Sequence, residues 1–210
     1  MTKRILLTGG TGDIGRSLVL KLLATGYQLV VISRDATLAQ SASNITYMQA
    51  DITKKDALAQ TLSDIEFDTV LHLAAITHSH NKNLYYKVNV EGTRNLVGLC
   101  ESRGTVRFVH MSSRAAHEQG GAYAHSKLIA EQVVKESRLE WVILQPSEIY
   151  GGSPREAIST LLRLIKHYHI APIIGSGEYH VAPLWIDDCI QAILRAVVTP
   201  QARQSYNLSR

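Results

Sequence analysis

The chain has 210 residues, 45% of them hydrophobic, enough for one substantial core with a small appended lobe in place of a second full domain. A formal charge of +4 with dispersed Lys and Arg argues against a nucleic-acid partner; so mild a field serves solubility or a phosphate-bearing ligand equally well. No segment nears the ~20 apolar residues that span a bilayer, and the apolar run after the basic opening Met-Thr-Lys-Arg is too short for a secretory signal.

The first strand, Arg4 to Leu7, runs into a loop in which Gly9, Gly12 and Gly15 recur every third residue, and that loop opens a helix from Ile14 to Thr25 stopped by Gly26. Glycines so spaced let the backbone turn tightly, approach a pyrophosphate and pack the helix on the strand, while the helix start supplies amide donors. Strands follow at Gln28 to Ser33, Ile45 to Gln49, Thr69 to Ala74, Val106 to Met111 and Trp141 to Gln145. Helices fit Lys54 to Leu62, Leu84 to Ser102 and Ala124 to Ser137. Continuous apolar strands alternating with helices imply an α/β fold, a doubly wound parallel sheet of the Rossmann kind.

After Tyr150 the texture changes. Gly151 to Pro154 reads as a loop, Arg155 to Tyr168 as a basic amphipathic helix, Gly175-Ser176-Gly177 as a turn, and Tyr206 to Leu208 as a short strand. Asp187 or Asp188 is expected to cap a helix running to about Val197, a better reading than a metal site because no partner ligands stand at metal spacing. His78 with His80, and His167 with His169, are read as surface residues, since no third ligand accompanies either pair. Cys100 and Cys189, at no motif spacing, are expected as buried thiols of a reduced, cytoplasmic protein. The chain thus divides into a dinucleotide-binding domain, residues 1–150, and an abbreviated substrate-binding lobe, residues 151–210, with a returning helix and strand.

Tyr123 and Lys127, four apart at the start of a helix, lie on one face and can meet one ligand. An ammonium beside a phenol favours the phenolate, so the lysine is expected to lower the tyrosine pKa toward a range suited to proton exchange. Ser112 and Ser113 end the fifth strand at the carboxyl edge, where open parallel sheets bind ligands, and Ser113 could hydrogen-bond the reacting oxygen.

Together these residues resemble the extended short-chain dehydrogenase/reductase (NAD-dependent epimerase/dehydratase) family. The resemblance covers nearly the whole chain: Thr8 to Gly15, Asp51-Ile52, His72 to Ala75, Val88 to Thr93 with Asn95-Leu96, Met111 to Ser113, Tyr123 to Lys127, and Pro146 to Gly151. It implies an oxidoreductase or epimerase acting on a carbonyl or hydroxyl of a sugar nucleotide or small molecule. Gly9, Gly12, Asp13, Ile14 and Gly15 would form the phosphate loop, Asp51 and Ile52 border the adenine, Leu73, Ala74 and Ala75 the ribose and pyrophosphate, and Pro146 to Ile149 the nicotinamide. Lys127 would also bind nicotinamide-ribose hydroxyls, Tyr123 serve as acid or base, and Ser113 orient the substrate oxygen. Relatives also build a dimer through helices matching Leu84 to Ser102 and Ala124 to Ser137, which implies a homodimer.

Three departures qualify the resemblance. Where members that prefer NAD usually carry an aspartate after the second strand, this chain has Ser33-Arg34, which removes a carboxylate that would repel a 2′-phosphate and supplies a guanidinium to clamp it, so NADP is expected in preference to NAD. Arg114-Ala115-Ala116 follows Ser113 where sugar-nucleotide dehydratases carry carboxylates, which disfavours dehydration. Extended members also run longer, and Gln145 stands where the family often has arginine. The same fold could alternatively serve a non-catalytic dinucleotide-binding redox sensor or regulator.

Overall fold

Strand β1 (Arg4–Thr8) sends Ile5 and Leu7 into one apolar core and Leu6 into another, because successive side chains point to opposite faces and both faces of this sheet are covered. The computed structural model describes residues 4–35, 37, 41–104, 107–153, 156–172, 176, 178 and 182–209. The other strands are β2 (Gln28–Ser33), β3 (Ser41–Ala42), β4 (Ile45–Gln49), β5 (Thr69–His72), β6 (Arg107–Met111), β7 (Glu140–Pro146), β8 (Ile149–Tyr150), β9 (Leu184–Trp185) and β10 (Gln204–Leu208). Eight of them form one sheet in the order β10-β7-β6-β5-β1-β2-β4-β3, parallel throughout except for β3 against β4. The chain adds strands on one side of β1 and then, from β5, on the other. Between those two strands a crevice opens at the carboxyl edge, the place where such sheets bind ligands.

One face carries helices α1 (Asp13–Ala24) and α7 (Ile186–Val198); their Leu18, Leu22, Ile190 and Ile193 pack on Ile5, Leu7, Val31 and Val109. The opposite face carries α2 (Lys55–Thr61), α4 (Gly92–Ser102) and α5 (Gly121–Lys135), with Leu58, Leu96, Val97 and Val134 against Leu6, Val70, Phe108 and Ile143. Each such side chain contributes about 1.5–3 kcal/mol by leaving water.

The helix expected from Leu84 to Ser102 is three pieces: α3 (Lys82–Tyr85), capped by the Asn81 side chain on the Asn83 amide at 3.0 Å, a π-helical segment at Tyr86–Glu91, and α4. Strand β5 stops at His72, short of the expected Ala74, because Leu73 and Ala74 turn their amides to the backbone and hydroxyl oxygens of Thr8. The α7 cap falls on Trp185, without a side-chain bond; Asp187 and Asp188 lie in the first turn, where their charge favours the helix dipole, and the Asp187 carboxylate accepts from the Trp185 indole at 3.2 Å.

Of residues 151–210, α7 and β10 belong to the main core and sheet, β10 pairing with β7 from Gln204↔Val142 to Leu208↔Pro146. Outside them stand the small β8–β9 sheet and α6 (Ala157–Tyr168). Val106, Pro154, Arg155, and the turn expected at Gly175 and Gly177 lie outside the described residues. Both cysteines are buried, neither in a disulfide. Among the described residues no helix is long and apolar enough to cross a membrane.

Candidate active site

The three loop glycines do different work. Gly9 holds a positive φ of 74°, and a Cβ there would stand 2.7 Å from the Ala74 nitrogen, so strands β1 and β5 could not approach as they do. A Cβ on Gly15 would collide with the Gly9 carbonyl oxygen. Gly12 differs: its backbone is extended, and an added Cβ would meet only the Gly9 oxygen, at an ordinary 3.4 Å. The protein's own packing does not demand glycine there. Gly12 is also the N-cap of α1 and makes no side-chain cap, leaving the first-turn amides without a helical partner. Asp13 pairs with Arg16 at 2.5 Å, and Ile14 packs on the core, so neither side chain turns to the crevice.

A cavity of about 490 Å³ lies over this edge. Among its lining residues are Gly9, Gly12, Ser33, Arg34, Asp51, Ile52, Leu73, Ala74 and Ala75, all singled out from the sequence, with Thr11 of the same glycine motif and Asp35 next to Arg34, and also Thr53, Ile76 and Lys87, which were not. Arg34 is exposed at the rim. Asp35 turns its carboxylate into its own loop, accepting from the Thr37 hydroxyl at 2.6 Å and amide at 2.9 Å, bonds that hold it below its ordinary value. Partial burial pushes the Asp51 carboxyl up, but hydrogen bonds from Thr53 and the charges of Arg34 and Lys54 outweigh it and leave the group below the usual range. The Asn95 amide donates to the Ile52 carbonyl at 2.9 Å and fixes that wall.

Beside the cavity, Ser113 leaves the end of β6, while α5 carries Tyr123 and Lys127. Lys127 is 2% exposed and donates to the Met111 carbonyl at 2.6 Å. Burial lowers its pKa to about 8, against the opposing pull of Glu131. The Tyr123 ring meets Tyr85 edge-to-face at 6.0 Å. Here the sequence expectation needs correction: the Tyr123 phenol is raised above its ordinary value, first by burial, with Glu148 and Tyr85 adding to the rise, and it is the hydrogen bond with Ser113, not the lysine, that works downward. The lysine is committed to a backbone carbonyl, and burial around the ring disfavours a phenolate. Pro146 is buried at the end of β7 and accepts from the Arg114 amide at 2.9 Å, and Ile149 pairs with Leu184 in β8; both adjoin this side but lie outside the cavity.

Under the crevice runs a buried polar layer that sequence reasoning does not assign. The Thr93 hydroxyl donates to the Asn89 carbonyl at 2.6 Å and so accepts from His72 Nε2 at 2.9 Å; His72 Nδ1 then accepts from the Thr8 hydroxyl at 2.7 Å, and Thr8 accepts the Ala74 amide at 3.2 Å. Asn89 fastens Ile76 through both its amide and its carbonyl and reaches the Ser126 hydroxyl at 2.9 Å. This network ties the glycine-loop strand to the π segment and to α5. A signal for part of it exists in the sequence, where polar His72 interrupts the apolar run Val70 to Ala75. His78, His80, His167 and His169 are not among the residues that line the cavity, and among the described residues no group of three or more His, Cys, Asp or Glu could hold a metal.

Comparison with known proteins places the chain. The profile of the NAD dependent epimerase/dehydratase family matches residues 5–209. The 3-beta-hydroxysteroid dehydrogenase of Mycolicibacterium neoaurum is 25% identical over 222 residues, covering 92% of this chain and 60% of its own length. UDP-glucose 4-epimerase 4 of Oryza sativa subsp. japonica is 32% identical over 176 residues, covering 68% of this chain and 48% of the relative. The chain thus spans about half to three-fifths of the length of these curated relatives. Among solved structures, UDP-glucuronic acid 4-epimerase from Bacillus cereus, in complex with UDP-glucuronic acid and NAD, superposes with a TM-score of 0.80 at 25% identity over 98% of this chain and 77% of that one. UDP-glucose 4-epimerase of Thermotoga maritima gives 0.84 at 21% identity, over 98% and 76%.

Proposed function

Because the chain belongs to the NAD dependent epimerase/dehydratase family, we propose that it is a nicotinamide-dinucleotide oxidoreductase or epimerase that prefers NADP and acts on a carbonyl or hydroxyl of a sugar nucleotide or small molecule. One observation carries this reading: Ser113, Tyr123 and Lys127 adjoin a crevice in which Gly12 leaves space that no protein atom requires. The residues fit the dinucleotide. Gly9, Gly12 and the first-turn amides of Asp13, Ile14 and Gly15 would hold the pyrophosphate, Asp51, Ile52 and Leu73 to Ala75 the adenosine half, and Pro146, Ile149 and Lys127 the nicotinamide half. Arg34 would clamp a 2′-phosphate, a reading supported by its exposure at the rim and by the engagement of Asp35 with Thr37.

When bound, the nicotinamide supplies or accepts the hydride. Tyr123 then gives its hydroxyl proton to the substrate oxygen, or takes one back in the reverse direction. Its raised pKa suits the donor role at neutral pH, and Ser113, hydrogen-bonded to it, orients the same oxygen. The ammonium of Lys127 holds ribose hydroxyls from the floor of the site. Substrate recognition falls to β8, β9 and α6, outside the main sheet, and α4 with α5 supply the face for a homodimer. The comparisons give a non-catalytic sensor no support. The test is a panel of sugar nucleotides and small ketones incubated with NADPH or NADH while nicotinamide absorbance is followed. Net cofactor consumption identifies a reductase; interconversion of sugar epimers without it identifies an epimerase, and no turnover on any compound despite tight dinucleotide binding would sink the assignment.

A further inference from the structure

Tyr123, Lys127, Glu131 and Lys135 stand four apart, which sets them in one column along α5. Lys127 and Glu131 are 2% and 1% exposed, so the column carries an ammonium and a carboxylate into the interior together. Glu131 is held from three sides: its Oε1 accepts from the Ser112 hydroxyl at 2.5 Å and the Gln145 amide at 2.8 Å, and its Oε2 from the Lys135 ammonium at 3.0 Å. Lys127, in contrast, donates to a neutral acceptor, the Met111 carbonyl. A buried ammonium without a compensating charge loses its proton more readily than it stays charged.

The other titratable groups facing Lys127 offer no anion. His72 of β5 and His110 of β6 are buried, and burial and the Lys127 charge both keep them unprotonated. Tyr123 is a phenol held neutral by burial, and Tyr85 of α3 packs on it. Asn89 and Thr93, from the π segment and α4, are neutral. We propose that Glu131 is a positioning residue that keeps Lys127 in its charged form and its ammonium at the end of β6, with Ser112 and Gln145 fixing the carboxylate. The use made of that charge rests on the cofactor role proposed above for Lys127. Lys135 does not cancel the carboxylate, because 41% of its side chain is exposed and water screens it, whereas Lys127 and Glu131 are both buried, one helical turn apart on α5.

With Glu131 present, burial still brings Lys127 down to about 8. Removing the carboxylate charge lowers the midpoint further, by about one to two pH units, and the ammonium falls to about half of the population or less at neutral pH. The test uses the full chain labelled with ¹³C at the lysine ε-carbons, with the Lys127 resonance identified by its loss in Lys127→Met. Its titration midpoint is compared between the unchanged protein and Glu131→Gln, which keeps an acceptor oxygen for the Ser112 hydroxyl and the Gln145 amide; thermal melting verifies the fold. A midpoint lower by one unit or more in Glu131→Gln is expected, and an unmoved or higher one overturns the proposal. Should Glu131→Gln not fold, the ¹³C shift of the Glu131 carboxyl in the unchanged protein decides: an ionised group at pH 7 is expected, and a protonated one overturns the idea.

A parallel titration with NADPH and NADH from pH 6 to 9 separates positioning from mere structural support. Loss of the charge moves the alkaline fall in affinity to lower pH, whereas general loosening weakens binding equally at every pH and counts against the proposal. If neither dinucleotide binds while the lysine midpoint moves, the cofactor reading falls and the hold of Glu131 on Lys127 stands. Dinucleotide binding with an unmoved midpoint preserves the cofactor reading and overturns the role of Glu131.

Discussion

Replacement of Gly12 by valine separates a glycine that the fold requires from one that a ligand requires. At Gly12 the backbone is extended and an added Cβ meets only the Gly9 oxygen at 3.4 Å, so folding stability should change by less than about 1 kcal/mol, the reduced entropy of the unfolded chain offsetting small contact costs. Gly9→Ala is the counter-case: a positive φ of 74° and a Cβ 2.7 Å from the Ala74 nitrogen should cost at least about 1–2 kcal/mol and lower the melting temperature by several degrees. For ligand binding the order reverses. The valine methyls would occupy the space through which a pyrophosphate reaches the first-turn amides of α1, and each lost charge-assisted hydrogen bond costs about 1.5–3 kcal/mol. One lost contact weakens affinity about tenfold to a hundredfold, and two abolish it at ordinary concentrations. Thermal melting combined with NADPH fluorescence titration measures both quantities on one sample. A folded Gly12→Val protein that binds dinucleotide with unchanged affinity refutes the reasoning about the loop, and with it the placement of the cofactor.

Arg34→Ala should weaken NADP by about tenfold to a hundredfold and leave NAD nearly unaffected, since only the former offers a phosphate to the guanidinium; equal parent affinities for both would contradict the preference. Tyr123→Phe keeps the ring and its packing on Tyr85 but removes the transferable proton, so turnover should fall about a hundredfold or more while dinucleotide binding persists, and full activity on any accepted substrate would end the acid–base assignment. Acid should destabilise the fold before carboxylates titrate. His72, lowered to about 3, and His110, lowered well below its ordinary value with both ring nitrogens unpartnered, stay neutral in the folded protein, while in the unfolded chain they protonate near pH ~6.5. The unfolded state therefore binds more protons as pH falls, and stability should drop by about 1.4 kcal/mol per pH unit for each histidine between about pH 6 and 4. Urea unfolding at pH 7, 6 and 5 checks this, and equal stability across that range would refute the buried neutral assignment.

Local spacing of residue types carries much of the fold and part of the site. Continuous apolar strands such as Ile5 to Leu7 need cover on both faces, and their alternation with helices leaves little besides a doubly wound parallel sheet. Glycines three apart mark a loop wherever they stand, and Tyr123 and Lys127 share a helix face because they are four apart. The column continues to Glu131 and Lys135 and was equally legible, but its use was not, because only the packing of β6 and β7 brings Ser112 and Gln145 to the Glu131 carboxylate. β10 carries little apolar signal, and its place in the main sheet comes from hydrogen bonds offered by the open edge of β7. The direction of the Tyr123 shift was decided by tertiary structure for the same reason. A neighbouring lysine in sequence promises a lowered pKa, but the outcome depends on which groups cover the ring and where the ammonium finds its acceptor. Spacing settles what one element presents; desolvation and charge pairing are properties of what distant elements lay against it.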